Sequence, residues 1–346
     1  MMRRFQRGLV VGKFCPLHRG HEAVIRRAQA DCEEVVVLSY TQPEFPGCGP
    51  EVRRRWLEAL FPTTTRLVLA ADNPWGLILP HNDDPDESCH RRFVGQVCRE
   101  VLHVTVEAVF TSESYGDGFA EELTHYFRET AGSDPTAPAP SEVVHVCVDP
   151  LRVQLPVSGT ALRQQVHELK HWLSPVVYAS FVKRICFLGG ESSGKTTLAA
   201  ALAERCGTRW VHEYGRELWV DQGGHLAFAD LLHIAQVQAQ REEEAAEQAH
   251  RYLFCDTSPL TTLFYCVDDF GKAEPELEAL AAREYDLHVL CAPDIPFDQD
   301  GTRKDEAFRQ RQNDWYQQEL TARGFPWILV FGPVEARVQQ VLAKLG

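Results

Sequence analysis

Ile185-Cys186-Phe187-Leu188-Gly189-Gly190-Glu191-Ser192-Ser193-Gly194-Lys195-Thr196 decides the architecture of the second half of the chain. Four apolar residues read as a buried strand, the glycines as a turn, and the residues from about 195 as a helix. The last eight residues match G-x-x-x-x-G-K-[ST]. In that string the glycines let successive backbone N–H groups curl round phosphate oxygens. The lysine supplies a point charge near the β/γ-phosphates, and the threonine hydroxyl ligates Mg²⁺. Candidate ATP contacts are therefore Gly189, Gly190, Glu191, Ser192, Ser193, Gly194, Lys195, Thr196 and Thr197.

Working outward, Phe254-Cys255-Asp256 ends an apolar strand in a carboxylate, as expected of an aspartate that shares Mg²⁺ with Thr196. An aspartate in this place also suits a helix cap. Glu213-Tyr214-Gly215-Arg216-Glu217 follows a short strand; it suits a carboxylate and an arginine placed over a phosphoryl acceptor, and equally a solvated helix start. Asp300-Gly301-Thr302-Arg303 leads into a helix with Arg309 and Arg311. A glycine hinge with arginines suits a lid, so Arg303 and Arg309 join the ATP contacts.

The first half alternates strand-like and helix-like segments, which implies a parallel sheet flanked by helices. Apolar runs at 8–12, 34–40, 66–70, 108–111 and 143–148 read as strands. Segments 20–31, 51–60, 91–102 and 118–129 read as helices, the first with an apolar face at Ala23, Val24, Ala28 and Ala30. After the first strand comes Gly12-Lys13-Phe14-Cys15-Pro16-Leu17-His18-Arg19-Gly20-His21. H-x-x-H spacing suits a metal pair, but no third ligand is suggested. Two imidazoles at a helix N-terminus instead suit hydrogen bonding to phosphate oxygens, helped by the helix dipole. Ser158-Gly159-Thr160-Ala161-Leu162-Arg163 opens a later helix whose hydroxyls and amides can grip phosphate while Arg163 neutralises it. The candidate nucleotide contacts of this half are Gly12, Phe14, His18, His21, Ser158, Gly159, Thr160 and Arg163.

Composition bounds these readings. A chain of 346 residues suggests about two domains. The net charge of −14 argues against a nucleic-acid coat, so an anionic substrate must be met by local positive charge and oriented amides. Eleven cysteines without a C-x-x-C read as free thiols in a reducing cytoplasm. No apolar run approaches a membrane span, and no signal peptide is visible. The Pro-rich stretch 132–141 reads as a loop inside a domain, because the alternation resumes after it.

The G-x-F-x-P-x-H-x-G-H string and S-G-T-x-x-R resemble the nucleotidyltransferase superfamily. With the Gly-Gly-Glu-Ser-Ser-Gly-Lys-Thr, Glu-Tyr-Gly-Arg-Glu, Asp-Thr-x-x-x-Thr-Thr (256–262) and Asp-Gly-x-Arg strings behind them, essentially the whole chain resembles the NadR-type family. These are fused nicotinamide mononucleotide adenylyltransferases and ribosylnicotinamide kinases. The resemblance implies an α/β protein. A Rossmann-like nucleotidyltransferase domain would cover 1–178 and a P-loop kinase domain 179–346, both with mainly parallel sheets. It implies a transferase of NAD biosynthesis that uses ATP and Mg²⁺ and takes nicotinamide riboside, nicotinamide mononucleotide and NAD. The expected catalytic residues are His18, His21, Arg163, Lys195, Glu213, Asp256 and Arg303. Riboside binding falls to Glu213, Tyr214, Arg216 and Asp256, and Mg²⁺ to Thr196 and Asp256. Some relatives carry an N-terminal helix-turn-helix; here the first strand starts by residue 8, so none is expected. Two positions differ from the family pattern. Asp256-Thr257-Ser258 stands for the relatives' Asp-Thr-Asp. Ser88-Cys89-His90-Arg91 lacks a tryptophan thought to stack on nicotinamide, leaving Trp75 as a candidate for that role. The rival readings are a fusion enzyme serving another nucleoside or cofactor precursor, and a weakly catalytic ATP/NAD sensor.

Overall fold

The computed structural model describes residues 3–113, 115–131, 142–149, 155–299 and 303–346. The Pro-rich stretch 132–141 and the hinge residues 300–302 lie outside them. The chain divides into two compact units, Met1–Ser180 and Phe181–Gly346.

In the first unit the order is β1 (Phe5–Val11), α1 (Arg19–Asp31), β2 (Cys32–Ser39), α2 (Pro50–Leu60), β3 (Thr65–Val68), α3 (Glu87–Gln96), β4 (Ala108–Thr111), α4 (Gly116–Glu129), β5 (Val144–Cys147), α5 (Gly159–Gln164) and α6 (Pro175–Tyr178). The strands form one parallel sheet in the order β3-β2-β1-β4-β5. Leu9 of β1 lies between Val36 and Val109. All three are buried, as parallel strands covered on both faces require. The apolar stripe of α1 is shifted from the expected one. Val24, Ile25 and Ala28 are buried together with Glu22, and Ala30 is exposed. Positions 24, 25 and 28 share one helical face, and position 30 turns away from it.

The second unit runs β6 (Lys183–Leu188), α7 (Lys195–Cys206), β7 (Arg209–Val211), α8 (Tyr214–Asp221), α9 (Phe228–Ala246), β8 (Tyr252–Asp256), α10 (Pro259–Phe270), α11 (Pro275–Ala281), β9 (Leu287–Cys291), α12 (Glu306–Ala322), β10 (Trp327–Val330) and α13 (Val334–Leu345). Its sheet is also parallel, in the order β10-β9-β6-β8-β7. Ile185, Cys186, Phe187 and Leu188 of β6 are wholly buried at its centre.

Both sheets are α/β layers with a switch point. In the first unit the chain leaves β1 toward β2 and later returns on its other side as β4. In the second unit β6 lies between β8 and β9. Ligands of such sheets sit beyond the carboxyl ends of the strands at the switch point. The Gly12–His21 and Gly189–Thr196 strings start there, directly after β1 and β6. All eleven cysteines are free, and most are buried. Among the described residues no helix is long and apolar enough to cross a membrane.

Candidate active sites

In the first unit, Gly12, Phe14, His18, His21, Ser158, Gly159, Thr160 and Arg163 all line one cavity of about 690 Å³. His18 is the N-cap of α1. Its side chain accepts the His21 N–H, and the His21 side chain accepts the His18 N–H, both at 3.4 Å. This is a capping box with imidazoles in both places. The rings stack with centroids 3.7 Å apart, and Phe14 packs edge-on to His21. Because each Nδ1 accepts, the ring proton of the neutral imidazole sits on Nε2, which makes Nε2–H a donor. No group of three or more His, Cys, Asp or Glu able to hold a metal occurs among the described residues.

The two motifs of this unit touch. Arg163 Nη1 donates to the Cys15 carbonyl at 2.6 Å, Nη2 donates to Thr160 Oγ1 at 3.1 Å, and the guanidinium lies 4.2 Å from the Phe45 ring centroid. Ser158 caps α5 by accepting the Ala161 N–H. Arg53 is fully buried and pins the loop after β1. It donates to the Lys13 carbonyl, to Ser39 Oγ and to both oxygens of Glu44. The sequence Arg53-Arg54-Arg55 gave no sign of this, because a run of arginines reads as surface. Trp75 is half-exposed and does not line the cavity. Tyr40 and His90 do, with the Tyr40 hydroxyl 3.0 Å from His90 Nδ1. Tyr40, just after β2, and His90 of α3 thus stand at the cavity where the loop carrying Trp75 does not.

In the second unit the phosphate loop leads into α7. Lys195 Nζ donates to the carbonyls of Gly189 and Gly190 at 3.0 and 3.1 Å. Thr196 Oγ1 donates to Asp256 Oδ2 at 2.6 Å. Ser258, not Asp256, caps α10 by accepting the Leu260 N–H. Asp256 is thus left for the cleft. Its Oδ1 is buried without a hydrogen-bond partner among the described residues. A hydroxyl and a buried carboxylate with a vacant oxygen are hard oxygen donors that fit Mg²⁺. Burial pushes the Asp256 carboxyl above the usual range, against the pull of Lys195. Glu213 stands at the N-cap position of α8 without a side-chain capping bond, and its carboxyl is raised too, by burial and then by the Asp256 charge, with Lys195 and Arg216 opposing. Arg216 Nε stands 3.7 Å from Glu213 Oε2. The Tyr214 N–H donates to Gln238 Oε1, and its ring lies under Arg241 and beside His233.

Several expected nucleotide contacts are occupied within the protein. The Glu191 N–H donates to Gln312 Oε1, and the Glu191 carboxylate accepts from the Tyr265 hydroxyl and the Lys304 N–H. Arg309 is buried, with its guanidinium on the Ile295 carbonyl and Glu306. Its backbone packs so closely on Gly190 that a Cβ there would collide with the Arg309 carbonyl. Arg303 donates to the carbonyl of Asp298, in its own loop. A further arginine had no sequence signal. Buried Arg337 of α13 donates to the carbonyls of Ser193, Ala292 and Gly332 and pairs with Asp294, so it braces the phosphate loop from below.

A family model described as an AAA domain matches residues 184–337. The trifunctional NAD biosynthesis/regulator protein NadR of Escherichia coli K12 is 28% identical over 318 residues, covering 86% of this chain and 71% of the relative. The protein of the same description from Salmonella typhimurium LT2 is 30% identical over 313 residues, with the same coverage. The chain belongs to the NadR family. Two solved NadR structures, one in complex with NAD and AMP-PNP and one in complex with NR, share its fold. Both are 19% identical and cover 98% of this chain, with TM-scores of 0.67 and 0.69; the chain covers 95% and 94% of theirs. NadR membership supports a role in NAD biosynthesis built on a kinase-like P-loop domain.

Proposed function

We propose that the chain performs two consecutive steps of NAD salvage. The second unit phosphorylates the 5′-hydroxyl of nicotinamide riboside with ATP. The first unit then joins the mononucleotide to ATP, giving NAD and pyrophosphate. The observation that carries this reading is the presence of two separate phosphate-cradling loops, each at the switch point of its own parallel sheet. NadR relatives solved with NAD and AMP-PNP, and with NR, support the choice of substrates.

In the kinase step the ribose 5′-oxygen attacks the γ-phosphorus and ADP leaves. Glu213, raised by burial and by Asp256, takes the hydroxyl proton. Lys195 exchanges its loop carbonyls for phosphate oxygens. Thr196 and Asp256 hold Mg²⁺, which when bound neutralises charge on the transferring phosphates. Tyr214 and Arg216 face the riboside.

In the adenylyl step a phosphate oxygen of the mononucleotide attacks the α-phosphorus, and pyrophosphate leaves without a covalent enzyme intermediate. His18 and His21 donate through Nε2–H to phosphate oxygens. Ser158, Thr160 and Arg163 complete the cradle at the start of α5. Catalysis there is positioning and charge stabilisation.

The test is incubation of purified protein with nicotinamide riboside, ATP and Mg²⁺, with resolution of the products. Mononucleotide and NAD together support both steps. Mononucleotide alone removes the adenylyl assignment, and no turnover favours a nucleotide sensor.

A further inference from the structure

Two thiols stand side by side in the first unit, and the proposed chemistry uses neither. Cys15 belongs to the loop between β1 and α1, and Cys48 to the turn before α2. Both residues are buried, at 2% and 0% exposure. Cys15 Sγ stands 3.0 Å from the Lys13 carbonyl and 3.9 Å from the Cys48 carbonyl, and the two thiols are within hydrogen-bonding reach of each other. Cys15 also lines the cavity of about 690 Å³ that holds the adenylyl-transfer residues. A small oxidant entering that cavity meets the Cys15 sulfur first, with a second sulfur beside it.

Cys15 is tied into the working parts of the loop. Its carbonyl accepts Arg163 Nη1 at 2.6 Å. A Cβ at Gly159 would lie 3.1 Å from the same carbonyl, so the start of α5 packs on this peptide. The Lys13 carbonyl beside the Cys15 thiol is also held by Ser39 Oγ and by buried Arg53. The surrounding charges favour ionisation of the pair. Cys15, acting as a donor, lowers the Cys48 thiol against burial, with Arg163 and Arg53 assisting and Glu44 opposing. The Cys15 thiol is raised by the same bond and by burial. Once one proton has left, the other is shared between two adjacent sulfurs, so the thiolate is available to both.

We propose that Cys15 and Cys48 form a reversible oxidation site that switches off adenylyl transfer. The inference rests on the adenylyl-transfer reading. The oxidant is a hydroperoxide. The Cys15 thiolate attacks one peroxide oxygen, the O–O bond breaks, and the departing hydroxide takes a proton to become water. Cys15 is then a sulfenic acid. The Cys48 sulfur attacks Cys15 Sγ, the S–O bond breaks, and a second water leaves. Two thiols and one hydrogen peroxide thus give one disulfide and two waters; the sulfurs lose two electrons and the peroxide oxygens gain them. A dithiol reductant reverses the step by exchange. Because a disulfide closes the sulfurs to about 2.05 Å, Cys15 must leave the Lys13 carbonyl and draw its loop toward the turn before α2. Arg163 loses the carbonyl position that orients it, and a misplacement of about 1 Å at a positioning group costs about a hundredfold in rate.

The test uses the whole protein, reduced and then treated with hydrogen peroxide. Remaining thiols are alkylated in denaturant, and the digest is read by mass spectrometry. Expected is a Cys15–Cys48 crosslinked peptide lacking two hydrogens. NAD formation from supplied mononucleotide and ATP should fall about tenfold or more, and dithiothreitol should restore both the thiols and the rate. Riboside phosphorylation, whose residues lie in the second unit, should be unchanged. Cys48→Ser should form no crosslink, and its Cys15 peptide should carry added oxygen instead. Free Cys15 and Cys48 in a protein oxidised at its other thiols overturn the proposal. So do a crosslinked protein of full activity and an unoxidised Cys15 in the Cys48→Ser variant. Absence of NAD formation by the reduced wild type, with the crosslink still formed by peroxide, overturns the adenylyl-transfer reading and supports the oxidation site.

Discussion

Glu242 of α9 offers a direct test of burial against ion pairing. Its side chain is fully enclosed; the Tyr285 hydroxyl donates to both oxygens at 2.9 Å, and Arg283 Nε donates at 3.1 Å. Arg283 and Tyr285 favour the carboxylate, but desolvation is the larger effect and pushes the group from its ordinary 4.5 up to about 7. The folded state therefore holds this proton more tightly than the unfolded chain does. The resulting stabilisation is complete below pH 4.5 and is lost as pH rises through 7. At about 1.4 kcal/mol per unit, a shift of about 2.5 units makes about 3 kcal/mol. Glu242→Gln keeps a hydrogen-bonding side chain of the same size but cannot titrate. Urea titrations between pH 4.5 and 8, read by hydrogen exchange of β8 and α9 peptides, isolate unfolding of this unit. Wild type should lose about 3 kcal/mol more than the variant across that range. Equal pH slopes would mean that Glu242 is ionised throughout and that Arg283 outweighs burial, which would refute the reasoning.

Lys195→Ala should abolish riboside phosphorylation while NAD still forms from supplied mononucleotide, measured by product chromatography; loss of both activities in a folded variant would contradict two independent sites. Substituting both His18 and His21 with alanine should slow adenylyl transfer by about a hundredfold or more, chiefly in kcat, because donors to a developing charge act in the transition state. The same double variant should also lose about 1 kcal/mol of stability with the cap, visible as a lower melting temperature. Gly190→Ala should weaken ATP binding to the second unit in calorimetry, since the new methyl meets the Arg309 carbonyl and displaces the phosphate loop. Unchanged affinity would show that the loop yields at little cost.

Both sheets were legible because their central strands are near-continuous apolar runs, such as Val35-Val36-Val37-Leu38 and Ile185-Cys186-Phe187-Leu188, that lead into helices. The glycine-rich turn between β6 and α7 was legible because glycine and lysine at that spacing have few other uses. Helices α11 and α13 were not anticipated, because neither begins with a side-chain cap that marks its start. The stretch 226–250 reads as one long helical segment, and the helix it forms is shorter, Phe228–Ala246. The buried arginines were invisible for a different reason. Arg53, Arg309 and Arg337 are satisfied by backbone carbonyls, and a carbonyl partner leaves no trace in residue type. Glu191 escaped in the opposite sense, since its motif position suggested phosphate while its partners are Tyr265, Gln312 and the Lys304 amide.

The histidine capping box at the start of α1 limits what can replace either ring. Each imidazole uses Nδ1 to hold the helix, and both residues line the cavity. Asparagine, serine and aspartate cap a helix well, but all end short of the Nε2 position. Glutamine reaches that position and caps poorly. No other natural side chain offers both nitrogens on one rigid frame, so folding and chemistry cannot be separated here by a gradual series of substitutions. On the proposed reading, a descendant that lost adenylyl transfer would still be selected for a cap at position 18, and would drift first toward asparagine or serine. The identity of that residue would then record whether the chemistry had been abandoned while the fold was kept.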